Sequence, residues 1–71
     1  MDNGFELLVE KETMWAELLQ QVLKDNDIQC VAIPVYGAGL SLKTGMQERL
    51  KIFVPFDCLA RAKELLHELF P

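Results

Sequence analysis

Histidine, tryptophan and tyrosine each occur once in this chain of 71 residues, and cysteine twice. Each scarcity excludes a class of function. Two cysteines, Cys30 and Cys58, are too few for the disulfide framework of a small secreted domain. They form no C-x-x-C pair, and His67 stands nine residues from Cys58 on what reads as one helix, pointing to a different side, so no metal site is expected. A single histidine near the chain end offers no base with a nucleophile and an orienting group beside it, so no catalytic residues are assigned and the chain is read as a non-enzyme. Basic residues are also few, seven against eleven acids for a net charge of −4, and such a surface repels phosphate backbones. Phe53 with Arg49 and Lys51 is too small an aromatic and basic set to hold single strands, so nucleic acid is not an expected partner. No apolar run approaches the roughly 20 residues that span a bilayer, and no leader pattern opens the sequence. The expectation is a cytoplasmic chain with no membrane contact and no cofactor.

Apolar side chains make up 51% of the sequence, and their spacing carries the fold. Phe5 to Glu10 (FELLVE) reads as a first strand with Phe5, Leu7 and Val9 on one side and Glu6, Leu8 and Glu10 on the other. Thr13 then caps a helix from about Met14 to Asp25, in which Trp15, Leu18, Leu19, Val22 and Leu23 recur at three and four. Lys24 and Asn26 signal its end. Ile28 to Val35 is short and β-branched and reads as a second strand. Tyr36 to Gln47 holds three glycines and no helical period, the pattern of a connecting loop. Glu48 to Val54 alternates Leu50, Ile52 and Val54 against Arg49, Lys51 and Phe53 as a third strand that Pro55 stops. Asp57 caps a second helix, Cys58 to Phe70, whose packing face is Leu59, Ala62, Leu65, Leu66 and Leu69.

A chain of this length folds as one domain, residues 1–71, and buries only about 60% of its unfolded surface, enough for one sheet face under one or two helices. The strand order follows from the connections. A right-handed crossover sets the first two strands parallel with a space between them, and the third, returning by a hairpin, fills that space antiparallel to both. The fold class is therefore α+β: a ferredoxin-like β-α-β-β-α two-layer sandwich lacking the fourth strand, with sheet order 1-3-2. Both helices cover one face, with Trp15, Leu18, Leu19 and Val22 among the buried set.

Two features point toward binding. Without a fourth strand the edge at Phe5 to Val9 keeps unpaired backbone groups, and the helix-free face exposes Leu8, Val31, Ile33 and Phe53; this is the expected self-association face of a homo-oligomer. The second is the loop. Gly37 to Thr44 (GAGLSLKT) comes close to a phosphate-binding loop, but Leu42 stands at the second glycine and a strand follows in place of a helix. Tyr36, Gly37, Gly39, Lys43 and Thr44 remain candidates for contact with a protein partner or a small anionic effector, since Ile28 to Phe56 is the one locally positive stretch, with three bases and one acid. Cys58 opens the second helix beside Asp57, where the helix dipole and the carboxylate act on the thiol in opposite senses, and Cys30 reads as a small buried hydrophobe.

The layout of ETMWAELLQQVLKDNDIQCVAI, a glycine-containing loop and LKIFVPFDCLARAKELL resembles the short bacterial domains catalogued as signal-transducing proteins, a family linked to the PII (GlnB-like) regulators. Ala16, Leu19 and Leu23, the passage from Leu23 to Ile28, Val54-Pro55, and Ala60, Ala62, Leu65 and Leu66 carry the likeness, which runs from about Phe5 to Leu69. The resemblance implies a cytoplasmic bacterial protein with a ferredoxin-like fold and a regulatory role, and it brings no active site. PII regulators bind nucleotide between subunits and signal through a long loop after the second strand; Tyr36 to Gln47 occupies that connection here. The implied function is a signal-transducing interaction module, with a sensor of an anionic effector or nucleotide as the alternative.

Overall fold

Strict alternation in a chain segment buries every second side chain, and Arg49–Pro55 does so with Ile52 and Val54 at 0% exposure and Lys51 and Phe53 turned away. In the computed structural model, which describes residues 4–35 and 49–71, this strand is the centre of the sheet. The elements run β1 (Phe5–Glu12), α1 (Thr13–Asp25), β2 (Val31–Val35), β3 (Arg49–Pro55), a 3₁₀ turn (Phe56–Cys58) and α2 (Leu59–Leu69). The sheet order is β1-β3-β2, with both outer strands antiparallel to β3. This is the ferredoxin-like β-α-β-β-α sandwich that the connections predict, with three strands among the described residues.

The core lies between one sheet face and the helices: Ala16, Leu19 and Leu23 from α1, Ala62 and Leu65 from α2, Ile52 and Val54 from β3, and Ile28. The face of α1 differs from the expected one. Leu19 and Leu23 are buried as the spacing predicts, but Ala16 joins them while Trp15 and Leu18 are 45% and 43% exposed and Val22 is only half-buried. The apolar stripe of α1 is wider than the contact it makes, and the helix rotates so that a methyl group at position 16 meets the sheet closely. Trp15 and Leu18 then fall on its flank.

The boundaries differ where backbone geometry outweighs pattern. β1 continues through Lys11 and Glu12, because β3 offers Leu50 and Arg49 opposite them. Glu12, with extended dihedrals and no side-chain cap bond, is the N-cap of α1, and Thr13 is its first helical residue. The end of α1 is a Schellman motif. Asn26 and Asp27 donate their N–H groups to the Leu23 and Lys24 carbonyls at 3.0 Å, and Ile28 donates to Leu23 at 2.9 Å. Asp27, at φ 63°, takes the left-handed position of the motif, and the side-chain amide of Asn26 donates to the Val22 carbonyl at 2.8 Å. This turn uses Ile28 as its apolar anchor, 5% exposed, so β2 begins only at Val31. Asp57 does not cap α2: it lies within the 3₁₀ turn, and Cys58 is the N-cap, again with no side-chain cap bond.

Candidate functional site

The face of the sheet opposite the helices is covered by no element among the described residues. Residues paired directly across antiparallel strands point to the same side. Phe53 is opposite Leu7 on β1 and Val31 on β2, so these three form one row across all three strands. Phe5 lies opposite Pro55 and Ile33 opposite Lys51, which brings both to the same face. Phe5, Val31, Leu7 and Ile33 are 42–47% exposed, a contiguous apolar surface on which Phe53 is half-buried at the centre. One end of the face is polar: Glu10 and Glu12 of β1 lie opposite Lys51 and Arg49, and the Arg49 guanidinium Nε donates to Glu10 Oε2 at 2.8 Å.

Three of the four residues expected on this face, Val31, Ile33 and Phe53, are therefore brought together. Leu8 is not among them. The register shifts between Leu7 and Val9, so Leu8 is the extra residue of a β-bulge and packs half-buried against the core. A bulge sets two consecutive residues against one on the partner strand, which turns Leu8 and Val9 to the helix side and leaves Phe5 and Leu7 on the open side. The consecutive apolar residues Leu7, Leu8 and Val9 in FELLVE permit this irregularity, and the pairing with β3 fixes where it falls.

The loop candidates Tyr36, Gly37, Gly39, Lys43 and Thr44 lie outside the described residues, as does the near phosphate-binding segment they belong to. Cys30 precedes β2, packs against the core and borders a shallow groove with Gln20, Lys24, Asp27 and Gln29. Burial pushes its thiol up, opposed by a hydrogen bond with the Gln20 side chain and by the Lys24 charge. Among the described residues no group of three His, Cys, Asp or Glu side chains stands close enough to hold a metal ion, and no helix is long and apolar enough to cross a membrane.

A second, partly exposed cluster lies where the end of α2 meets the start of α1. The Trp15 ring meets Phe70 edge-on with centroids 5.8 Å apart, and Lys11 Nζ sits 4.2 Å from the Phe70 centroid on the same ring. Met14, 67% exposed, and Leu18 border it. Phe70 directly follows α2 as its C-cap, and its contact with α1 could not be read from periodicity within either helix. Comparison with family models, curated proteins and solved structures finds no match for this chain.

Proposed function

We propose that this chain is a non-catalytic, regulatory interaction module that works as a homo-oligomer and engages protein through the open face of its sheet. The observation that carries the reading is the row Leu7, Phe53 and Val31, flanked by Phe5 and Ile33, because half-exposed apolar side chains in one continuous patch gain about 1 kcal/mol each when a partner covers them. The polar end supplies orientation. The Arg49 and Glu10 pair, with Lys51 and Glu12 beside it, presents both signs of charge at a fixed edge of the apolar patch, which favours one docking direction over its reverse. The resemblance to bacterial signal-transducing domains supports a regulatory assignment, and most of the residues that carry it, among them Ala16, Leu19, Leu23, Val54, Ala62 and Leu65, are buried and build the scaffold, while Leu66 is half-buried and Ala60 exposed.

The test uses substitutions on β2, away from the outer edge of β1. Val31→Lys combined with Ile33→Lys keeps both side chains in solvent and removes the apolar patch on that strand. Sedimentation equilibrium of the parent chain is expected to show a mass above the monomer, and the double variant a lower one with unchanged circular dichroism. An equal mass for the two proteins would overturn the open-face reading.

A further inference from the structure

The outer edge of β1 has an unusual symmetry. Glu6 and Val9 lie opposite the buried Val54 and Ile52, Lys11 lies opposite Leu50, and Leu8 packs on the core, so these four belong to the helix side. Phe5, Leu7, Glu10 and Glu12 lie opposite Pro55, Phe53, Lys51 and Arg49 and belong to the open side. Counted outward from the Leu8–Val9 peptide in either direction, the sides run helix, open, helix, open. A regular strand of eight residues cannot do this, because strict alternation makes its two halves opposite. The bulge repeats one side at the centre and makes the strand symmetric about its middle.

Backbone direction alternates together with side-chain side. The Gly4 carbonyl, in phase with Glu6, accepts the Phe56 N–H at 3.0 Å and so points inward to β3. The open-side residues Phe5, Leu7, Glu10 and Glu12 therefore carry the outward N–H and C=O groups; among the described residues no strand pairs with them, and the Glu10 carbonyl accepts one long hydrogen bond, 3.5 Å, from Arg49 Nη2, which a pairing strand would replace.

We propose that a second copy of this chain occupies this edge, the two β1 strands running antiparallel about a two-fold axis between Leu8 and Val9, to make one continuous six-stranded sheet. In that register Phe5 faces Glu12 and Leu7 faces Glu10 as hydrogen-bonded pairs, and Glu6 faces Lys11 and Leu8 faces Val9 as the closer, non-hydrogen-bonded pairs. Every pair lies on one side of the joined sheet. Opposite charges meet twice, Glu6 of each copy with Lys11 of the other, whose ammonium turns to it from its place 4.2 Å from the Phe70 centroid, and Leu8 and Val9 close an apolar contact at the axis. The two Glu10 carboxylates, the like charges nearest the axis on the open side, are each held back by Arg49 at 2.8 Å. The inference rests on the interaction-module reading for the expectation of a homo-oligomer, and it adds the register and the pairs that join two copies.

Paired cysteines test the register directly. Glu6→Cys with Lys11→Cys, in a chain carrying Cys30→Ser and Cys58→Ser, places two thiols in non-hydrogen-bonded cross-strand pairs, the geometry that closes a disulfide. Positions 6 and 11 of one strand are about 16 Å apart and cannot bridge within a chain. Mild oxidation is expected to convert most of the protein to a covalent dimer, while Glu6→Cys with Glu12→Cys, whose thiols fall on opposite sides, yields about tenfold less. Equal yields, or no covalent dimer in either, would overturn the proposal.

Charge exchange gives an independent arm. Lys11→Glu sets like charges opposite each other twice and is expected to raise the dimer dissociation constant about tenfold. Glu6→Lys with Lys11→Glu restores the parent value to within about threefold, which a loss of local packing at position 11 would not allow. A dissociation constant unchanged by Lys11→Glu, or not restored by the exchange, would overturn the register. The open-face variant on β2 leaves the cysteine trap intact, so failure of the trap with a mass that still responds on β2 rejects this edge alone, and the converse rejects the open face alone.

Discussion

Ile28 donates its backbone N–H to the Leu23 carbonyl over 2.9 Å, and the chain between them passes through Asp27 at φ 63°. This one turn closes α1, sets a buried side chain into the core and aims the chain toward β2. It does so with a residue that carries a Cβ. A left-handed conformation costs an L-residue about 1–2 kcal/mol, which the short polar side chain of aspartate relieves only in part. Asp27→Gly is therefore expected to stabilise the protein by about 0.5 kcal/mol, seen as a rise of about 2–4 °C in the thermal midpoint. Asp27→Val, which adds β-branching at the same position, is expected to lower stability by about 1–2 kcal/mol.

Adjacent leucines on α1 separate the observed helix face from the expected one. Leu19 is fully buried and Leu18 is 43% exposed. Leu19→Ala is expected to cost about 2–5 kcal/mol, a large share of the stability of so small a domain, and Leu18→Ala less than about 1 kcal/mol. Urea denaturation of the two variants checks the orientation of the helix. Comparable losses would contradict it.

What the sequence discloses is the part governed by period. The alternation of Leu50, Ile52 and Val54 placed β3 at the centre, and the connections ordered the sheet. The side of Leu8 is a different matter. It depends on how many residues of β1 stand against Ile52, a count that only the partner strand supplies, and FELLVE has apolar residues enough to satisfy either phase. The turn of α1 is hidden for a similar reason: six large apolar residues, Met14, Trp15, Leu18, Leu19, Val22 and Leu23, outline a stripe too wide to fit one contact, and the decision falls to Ala16, whose small side chain does not mark a face in the spacing of large ones. The same limits apply to the candidate surface. Val31, Ile33 and Phe53 follow from alternation, whereas Phe5 and Leu7 follow from the bulge.

The contact between Trp15 and Phe70 ties the end of α2 to the start of α1, with Lys11 as a third member. An edge-to-face pair contributes about 0.5–1.5 kcal/mol beyond area and a partly exposed cation–π contact about 0.5–1 kcal/mol. Phe70→Ala is expected to destabilise by about 1–2 kcal/mol in sum, and to shift Trp15 emission to longer wavelength as the indole loses its apolar neighbour. Lys11→Met keeps the aliphatic stem and removes only the charge, so its loss is expected to stay below about 1 kcal/mol. Fluorescence-detected denaturation reads both. An emission maximum unchanged by Phe70→Ala would show that the ring contact does not shape the environment of the indole.

Cys30 gives the chain a pH dependence of definite sign. Burial favours its neutral thiol, which outweighs the Gln20 hydrogen bond and the Lys24 charge that favour the thiolate, so its pKa is raised on folding. A group whose folded pKa lies above its unfolded one contributes stability that is fully present below the unfolded value and is lost as the pH rises through the folded value. The difference in unfolding free energy between the parent chain and Cys30→Ala is thus expected to be level from neutral pH to about 8 and to shrink above it, as the unfolded thiol, with an ordinary pKa of about 8.5, begins to ionise. The comparison with Cys30→Ala removes the titration of every other group from the measurement. The same preference for the neutral form predicts that Cys30 in the folded protein reacts with iodoacetamide more slowly than in urea, because the thiolate is the nucleophile and folding reduces its population. A free-energy difference that grew with pH in the alkaline range would reverse the assigned shift and place Cys30 in a setting that favours its charge.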